Sequence, residues 1–207
     1  MVDLHKEYEA INKMYEDNEV TIPIKAFFGE LLKQVDRRKN YPITLLDKRI
    51  NLDQLLAIHN AMKYPLAYIQ GPPGTGKTNT IVNTIVTAFF NEKTVLFASY
   101  NNHPIDGVCN KLQSIEYRNK GKIPFPIIRL GNDRCVLEAL NYIKRLYEKT
   151  KNITIFDSTL EKNKDDKTKK TIELTKLLEK HEYKIELKER EEAILKMIDV
   201  NHHLTFQ

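Results

Sequence analysis

The chain has 207 residues, with 33 Lys and Arg against 28 Asp and Glu and only two cysteines. This length suits one domain with an appendage and allows a buried core. No apolar run is long enough to span a membrane, and charged residues interrupt the N-terminus from Asp3 onward, so we expect neither a membrane protein nor a signal peptide. Cys109 and Cys135 lack metal-ligand spacing and a disulfide framework, which predicts buried thiols in a cytoplasmic protein.

The positive charge is unevenly distributed along the chain. Residues 151–207 contain 12 basic and 12 acidic residues, so the formal net charge of +5 belongs to residues 1–150. An excess of this size permits a polyanionic partner without requiring one.

Residues 1–50 are predicted to form an N-terminal helical region. Helical patterns run from residue 1 to about 15 and from 24 to 35. A basic run at 37–39 follows, and a solvated cluster at a helix end explains it better than a nucleic-acid patch. The next helix is predicted to begin near Leu52.

Residues 71–78 read GPPGTGKT and match the phosphate-loop pattern GxxxxGK[ST] without a mismatch. The short apolar run at 66–70 predicts a buried strand before the loop, and residues 77–90 predict a helix after it. A plain Gly/Pro turn is the alternative, which these flanking elements disfavour. The stretch therefore predicts a nucleoside triphosphate site.

Each part of this loop has a chemical role. Gly74 and Gly76 tolerate positive φ and let the backbone wrap around an anion, while amides at the helix start favour negative charge. Lys77 is expected to reach the β- and γ-phosphates and the Thr78 hydroxyl to bind Mg²⁺, which makes these two the predicted catalytic residues. The predicted ATP-binding set also contains Gly71, Pro72, Pro73, Thr75 and Asn79.

Two more strands are predicted, at 94–98 and 127–130, with a helix from about 105 to 115 between them. Strands that alternate with helices at this spacing indicate βαβ units. The sequence therefore predicts an α/β fold with a parallel sheet and a ligand at the carboxyl ends of its strands.

The last third of the chain has a different character. Residues 134–149 predict a helix, and residues 158–198 are rich in Lys, Glu and Leu without Gly or Pro. The apolar stripe there is too thin for a globular core, so two long antiparallel helices forming a stalk are expected over 134–207. Partial flexibility, with disorder over 160–172, is the alternative.

A nucleotide hydrolase needs an acidic residue at the end of a second strand to hold Mg²⁺. The sequence has no Asp-Glu dipeptide, and its nearest imitation is the run 153–157, which ends in Asp157. Ser158 and Glu161 form a capping-box pattern, so Asp157 is better explained as the entry to a helix. The catalytic acid is expected outside this chain, which would then bind ATP without hydrolysing it efficiently.

The order of the motifs resembles superfamily 1 helicases, in particular the 5′-to-3′ group typified by the nonsense-mediated-decay helicase. NLDQLLAIHNAM precedes the loop, and VLFASYNNHPIDGVCNKL and FPIIRLGN follow it. Over residues 50 to 135 the resemblance implies that 51–133 form the first part of a RecA-like helicase domain and that 134–207 are a stalk insertion. It also implies that Gln54 reads the adenine edge, for which a carboxamide is chemically suited.

The same resemblance implies a single-stranded nucleic-acid partner, with DNA and RNA not distinguished. The family motif A-x-S-N-x-A-V-D appears here as ASYNNHPID, with one extra residue, and its polar residues Ser99, Asn101 and Asn102 are expected to contact the strand. Asp106 would cap a helix or brace this loop, and Arg129 would brace a loop or approach the strand.

Further parts of the family's machinery are expected elsewhere in a larger parent protein. These are the Asp-Glu strand, a second RecA-like domain and its arginine finger. An AAA+ ATPase with the same loop is the rival, but its acidic strand should lie roughly fifty to sixty residues past the loop, where Arg129 and Gly131 interrupt the pattern. A small-molecule kinase fits less well, and a regulatory ATP-binding module without turnover is the non-enzyme alternative.

Overall fold

In the computed structural model the described residues are 4–30, 40–46, 49–116, 125–131, 133–152 and 158–204. Seven helices are found in this part of the chain: α1 (His5–Glu16), α2 (Ile22–Phe27), α3 (Leu52–Lys63), α4 (Lys77–Phe90), α5 (Asn102–Gln113), α6 (Asp133–Thr150) and α7 (Ser158–Leu204). None of the helices in these ranges is long and apolar enough to cross a membrane.

The predicted parallel sheet is absent from the described ranges, so the expectation of an α/β, RecA-like fold is wrong. The segments 66–70, 94–98 and 127–130 are irregular, and no backbone hydrogen bond joins any two of them. Strands of a parallel sheet bury both faces, whereas Tyr68 is 88% and Leu96 is 90% exposed. A short apolar run indicates a tendency to be buried, but it does not specify a neighbour to pair with.

The predicted helices on either side of the phosphate loop are confirmed. Helix α3 begins with a capping box, in which Asn51 Oδ1 accepts from the Gln54 amide at 2.8 Å and Gln54 Oε1 accepts from the Asn51 amide at 3.2 Å. This arrangement satisfies two backbone donors that a helix start would otherwise leave unpaired. Helix α4 begins at Lys77, directly after a left-handed Gly76.

One apolar core lies between α4 and α5. Its buried members are Val82, Val86, Val108, Leu112 and Phe125. Val82 and Val86 on α4, and Val108 and Leu112 on α5, are each four residues apart, which is the pattern of two helices that face each other. The core therefore fixes the helix that carries the phosphate loop.

A second core joins α3 to the extended segment 40–46 and to α7. Ile43, Ile58 and Leu178 are its buried members. The segment 40–46 is also tied to α4, because Thr87 Oγ1 donates to the Thr44 carbonyl at 2.8 Å and Asn83 Oδ1 accepts from the Leu46 amide at 2.8 Å. Both polar side chains are buried, and these hydrogen bonds satisfy their polar groups.

A polar network holds α7 against the C-terminal end of α3. Lys63 Nζ donates to Glu179 Oε1 at 2.6 Å, the Asn40 side-chain amide donates to Glu179 Oε2 at 3.2 Å, and the Tyr64 hydroxyl donates to Glu182 at 3.2 Å. The hydrogen bond from Lys63 lowers the pKa of Glu179, and burial together with Glu182 raises the pKa of Tyr64 to about 12. Charge pairing therefore adds to the apolar contact of Leu178.

Helix α7 is one continuous helix of 47 residues, about 70 Å long at 1.5 Å per residue. It begins at Ser158, which confirms the predicted helix start, and residues 160–172 are helical rather than disordered. Asp157 lies outside the described residues. The expectation of two antiparallel helices is wrong for the described ranges, because α6 and α7 do not pack against each other.

The described part of the N-terminal region is helical, as predicted. Its second helix spans Ile22–Phe27 and a turn follows at 28–30, while residues 31–39, which hold the rest of the predicted helix and the basic run, lie outside the described residues. Tyr15 contacts Phe28 edge to face with ring centroids 6.5 Å apart. Neither α1 nor α2 packs against another helix in the described part of the chain.

Candidate nucleotide-binding site

The loop 71–78 has the backbone that a close approach to an anion requires. Gly74 and Gly76 have φ values of +82° and +81°, a region that residues with a Cβ rarely adopt. Lys77 then starts α4, so the free amides of its first turn lie next to the loop. These amides and the dipole of the helix favour a negatively charged ligand.

Lys77 connects the two ends of the loop. Its Nζ donates to the carbonyl of Gly71 at 2.5 Å and to the carbonyl of Pro72 at 2.8 Å. The Thr75 hydroxyl also donates to the Pro72 carbonyl, at 2.8 Å. These hydrogen bonds keep the Lys77 ammonium group over the loop, where it could contact phosphates.

Gln54 reaches the loop from the first turn of α3. Its Nε2 donates to the carbonyl of Thr75 at 2.8 Å, while its Oε1 takes part in the capping box with Asn51. The sequence places Gln54 seventeen residues before Gly71, and the structure brings the two into one site.

Gln54 and several loop residues line a cavity of about 480 Å³. Its wall includes the loop residues Gly71, Pro72, Thr75 and Lys77 together with Gln54. Apolar side chains complete the wall: Ala57, Ala61, Ile69, Ile81, Ile85, Val95 and Phe97. This size and this mixture of apolar walls with a few polar groups are typical of small-molecule sites.

The other predicted loop residues lie outside that wall. Pro73, Gly74 and Thr78 are exposed on the loop and at the start of α4, and Gly76 is half-buried beneath Gln54. Asn79 is turned to α5, where its Oδ1 accepts from Lys111 Nζ. Among the residues predicted to bind ATP, Asn79 therefore has its side chain bonded to Lys111 instead of lining the cavity.

The donors present suit a magnesium-bound triphosphate. Loop amides and Lys77 offer positive partners for phosphate oxygens, and Thr78 offers a hydroxyl oxygen for a hard cation. Within the described ranges no group of three or more His, Cys, Asp and Glu could hold a metal by itself. Any Mg²⁺ here would depend on the phosphates of the nucleotide for most of its ligands.

The predicted nucleic-acid residues lie apart from the cavity. Ser99, Asn101 and Asn102 are all exposed, and Asn101 precedes α5 without using its side chain as a cap. Sequence reasoning missed Tyr100 between them, which is 99% exposed. The signal was available, because the motif has one extra residue at this point and an aromatic ring in a polar loop is unusual.

Asp106 and Arg129 link the two downstream motifs. The Arg129 guanidinium donates to Asp106 Oδ1 at 2.9 Å, which joins α5 to the segment 125–131. Arg129 thus braces the structure, which is one of its two predicted roles, while Asp106 contacts Arg129 rather than the loop before α5. Of the two thiols predicted to be buried, Cys109 is buried, which raises its pKa, whereas Cys135 is only half-buried.

Comparison with known proteins identifies the family. The model of the AAA domain family matches residues 49–204, which include the phosphate loop and all of α7. The chain belongs to this family. The relatives described next carry the names of ATP-dependent helicases or of a DNA-binding protein, which supports the resemblance to superfamily 1 helicases that the motif order implied.

Three relatives illustrate the likeness. An uncharacterized ATP-dependent helicase of Mycoplasma genitalium (MG140) is 39% identical over 42% of this chain and 8% of its own length. The mouse DNA-binding protein SMUBP-2 is 30% identical over 74% of this chain and 16% of its own. An uncharacterized ATP-dependent helicase of Methanocaldococcus jannaschii (MJ0104) is 29% identical over 64% and 20%.

The chain thus spans at most a fifth of the length of these relatives. No solved structure matches this chain.

Proposed function

We propose that this chain is the ATP-binding part of an ATP-dependent helicase that couples ATP hydrolysis to movement along single-stranded nucleic acid. The observation that carries the proposal is the loop 71–78, in which Lys77 bridges the carbonyls of Gly71 and Pro72 and Gln54 contacts Thr75 inside one cavity. Relatives named as ATP-dependent helicases support the same assignment.

ATP would bind with its phosphates on the loop and its base toward Gln54. Lys77 would release the two carbonyls and neutralise the β- and γ-phosphates, while Thr78 would bind Mg²⁺. Gly74 and Gly76 would let the loop amides reach the phosphate oxygens. The remaining loop residues, Pro72, Pro73 and Thr75, would shape the loop.

Efficient hydrolysis would require parts of a longer polypeptide. The chain has no Asp-Glu pair after an apolar run, so we assign the metal-holding acid to a part of the parent protein outside these residues and the arginine finger to its second domain. An arginine finger alone contributes about a thousandfold or more in rate. Slow ATP turnover by residues 1–207 is the expected result.

Single-stranded nucleic acid would cross the loop before α5. Ser99, Asn101 and Asn102 would contact phosphates and sugars, and the exposed ring of Tyr100 would stack on a base. Stacking of this kind contributes about 1–3 kcal/mol per base and does not depend on sequence. The positive charge of residues 1–150 favours such a partner.

Titration of a fluorescent ATP analogue with Mg²⁺ tests the nucleotide site. We expect binding to the wild-type chain that ATP competes away better than GTP does, and loss of that binding in Lys77→Ala. Lys93→Ala, which removes an exposed lysine beyond α4, is the matched control for the change in charge. Equal affinity in Lys77→Ala and wild type would rule out the assignment of the loop.

Fluorescence anisotropy with labelled oligonucleotides tests the strand surface. We expect weak binding that declines steeply with salt and is reduced in Tyr100→Ala. Tyr147→Ala, at an exposed tyrosine of α6, is the control and should bind as wild type does. A chain that binds ATP but no oligonucleotide even at low salt would favour a regulatory ATP-binding module.

A further inference from the structure

We propose that Gln54 positions the phosphate loop directly, so that it contributes to phosphate binding as well as to contact with the base. This inference rests on the proposed function and deepens it. It assigns to Gln54 a role that does not require adenine.

The carboxamide of Gln54 bridges two parts of the site. Its Oε1 accepts from the Asn51 amide at 3.2 Å, and its Nε2 donates to the Thr75 carbonyl at 2.8 Å. One end of the group is thereby anchored on the first turn of α3, and the other end holds the loop. In the described part of the chain, the other hydrogen bonds to residues 71–76 come from the loop itself and from α4.

The bond to Thr75 determines the orientation of a phosphate-binding amide. The Thr75 carbonyl and the Gly76 amide belong to one rigid peptide plane, and in a trans peptide they point in opposite directions. When Gln54 holds the carbonyl on the α3 side, the Gly76 N–H is directed to the opposite side. Gln54 therefore restricts rotation of the Thr75–Gly76 peptide, one residue before Lys77.

Gly76 shows how closely the two groups approach. A Cβ built on Gly76 would lie 2.5 Å from Gln54 Nε2, well inside any normal contact. Glycine at this position thus serves the left-handed backbone and also leaves room for the Gln54 carboxamide. Gly74 has the same backbone conformation but no atom within 4 Å of such a Cβ.

Loop contact and base contact are chemically compatible. A carboxamide has two N–H donors and two acceptor lone pairs, and the contacts with Asn51 and Thr75 use one of each. One donor and one acceptor remain for an adenine edge.

Magnesium tripolyphosphate, which has no base, separates the two roles. If Gln54 positions the loop, Gln54→Ala should weaken the binding of tripolyphosphate about fivefold. This is the effect of losing one hydrogen bond with a net contribution near 1 kcal/mol. If Gln54 only reads adenine, the variant should lose affinity for ATP and retain wild-type affinity for tripolyphosphate, which would overturn the inference.

Gln54→Glu controls for the stability of α3. A carboxylate keeps the acceptor for the Asn51 amide but loses the donor and repels the Thr75 carbonyl, so tripolyphosphate binding should fall while the melting temperature is kept. Wild-type binding of tripolyphosphate in Gln54→Glu would also contradict the inference. Lys77→Ala should abolish tripolyphosphate binding, and its failure to do so would refute the proposed nucleotide site itself.

Discussion

Residues close in sequence hold the phosphate loop in place, whereas residues distant in sequence hold helix α7 in place. The hydrogen bonds that shape the loop join residues 3 to 21 positions apart, from Thr75 to Pro72 and from Gln54 to Thr75. The polar contacts of Glu179 on α7 reach Lys63 and Asn40, which lie 116 and 139 positions earlier. Local sequence therefore encodes the site, while distant residues determine where α7 lies.

This difference has a functional consequence. A loop held by residues close in sequence can keep its shape when α7 is disturbed. The α7 residues Leu178, Glu179 and Glu182 contact α3 and not the loop. Variants in the two regions should therefore separate nucleotide affinity from the stability of the α3–α7 contact.

The largest effect is expected at the loop glycines. Gly76→Ala should lower the free energy of unfolding by about 2 kcal/mol, because φ is +81° and the new Cβ displaces Gln54. Gly74→Ala is the matched control, with φ of +82° and open space around its Cβ, so it should show the strain alone. Calorimetric titration of MgATP should find the weaker binding in Gly76→Ala, and equal affinities would show that contact with Gln54 is unimportant.

A smaller effect, confined to stability, is expected at the α3–α7 contact. Glu179→Gln should cost about 1 kcal/mol, because Lys63 is only 10% exposed and loses its ionic partner, while Glu179 at 32% exposure is partly screened by solvent. Arg190→Ala breaks the exposed pair with Glu186 and should cost about 0.5 kcal/mol or less. Urea unfolding measures both, and equal costs would mean that the buried pair is no stronger than a surface one.

Acid should also weaken the α3–α7 contact, by less than Glu179→Gln does. Burial and the charge of Lys63 lower the pKa of His59 below 6.5, although Glu179 and Glu182 oppose this, so the unfolded chain binds its proton first and stability falls as pH drops below 6.5. The Glu179 pKa is lowered below 4.5, so the stability from its ion pair is present above that value and is lost as pH falls further.

Unfolding experiments between pH 7.5 and 5 check the histidine part of this dependence. His59→Asn should remove the loss of stability in this range that is due to the imidazole. If wild type and His59→Asn have the same pH dependence, the buried imidazole contributes nothing to it.

The sequence predicted the local structure around the phosphate loop better than the fold. The start of α4 at Lys77 and the beginning of α3 near Leu52 depend on backbone chemistry within a few residues, so a single sequence expresses them. For Tyr100 the sequence signals only an inserted aromatic residue in a polar loop, because the exposure of its side chain depends on what surrounds the loop.

The predictions that depended on partners were the ones that were wrong. The apolar runs at 66–70, 94–98 and 127–130 were expected to pair as strands, but pairing needs neighbours that a periodicity cannot specify. The thin stripe on α7 was expected to face an antiparallel helix, whereas the buried Leu178 and the half-buried Leu174 pack on α3 and the segment around Ile43.

Hydrogen exchange with and without MgATP tests the central claim most directly. If the loop is a nucleotide site that does not depend on α7, MgATP should slow exchange at residues 71–80 and at the start of α3. Exchange along α7 beyond Leu178 should stay unchanged. Protection that appears along α7, or no protection at 71–80 at saturating MgATP, would contradict the account.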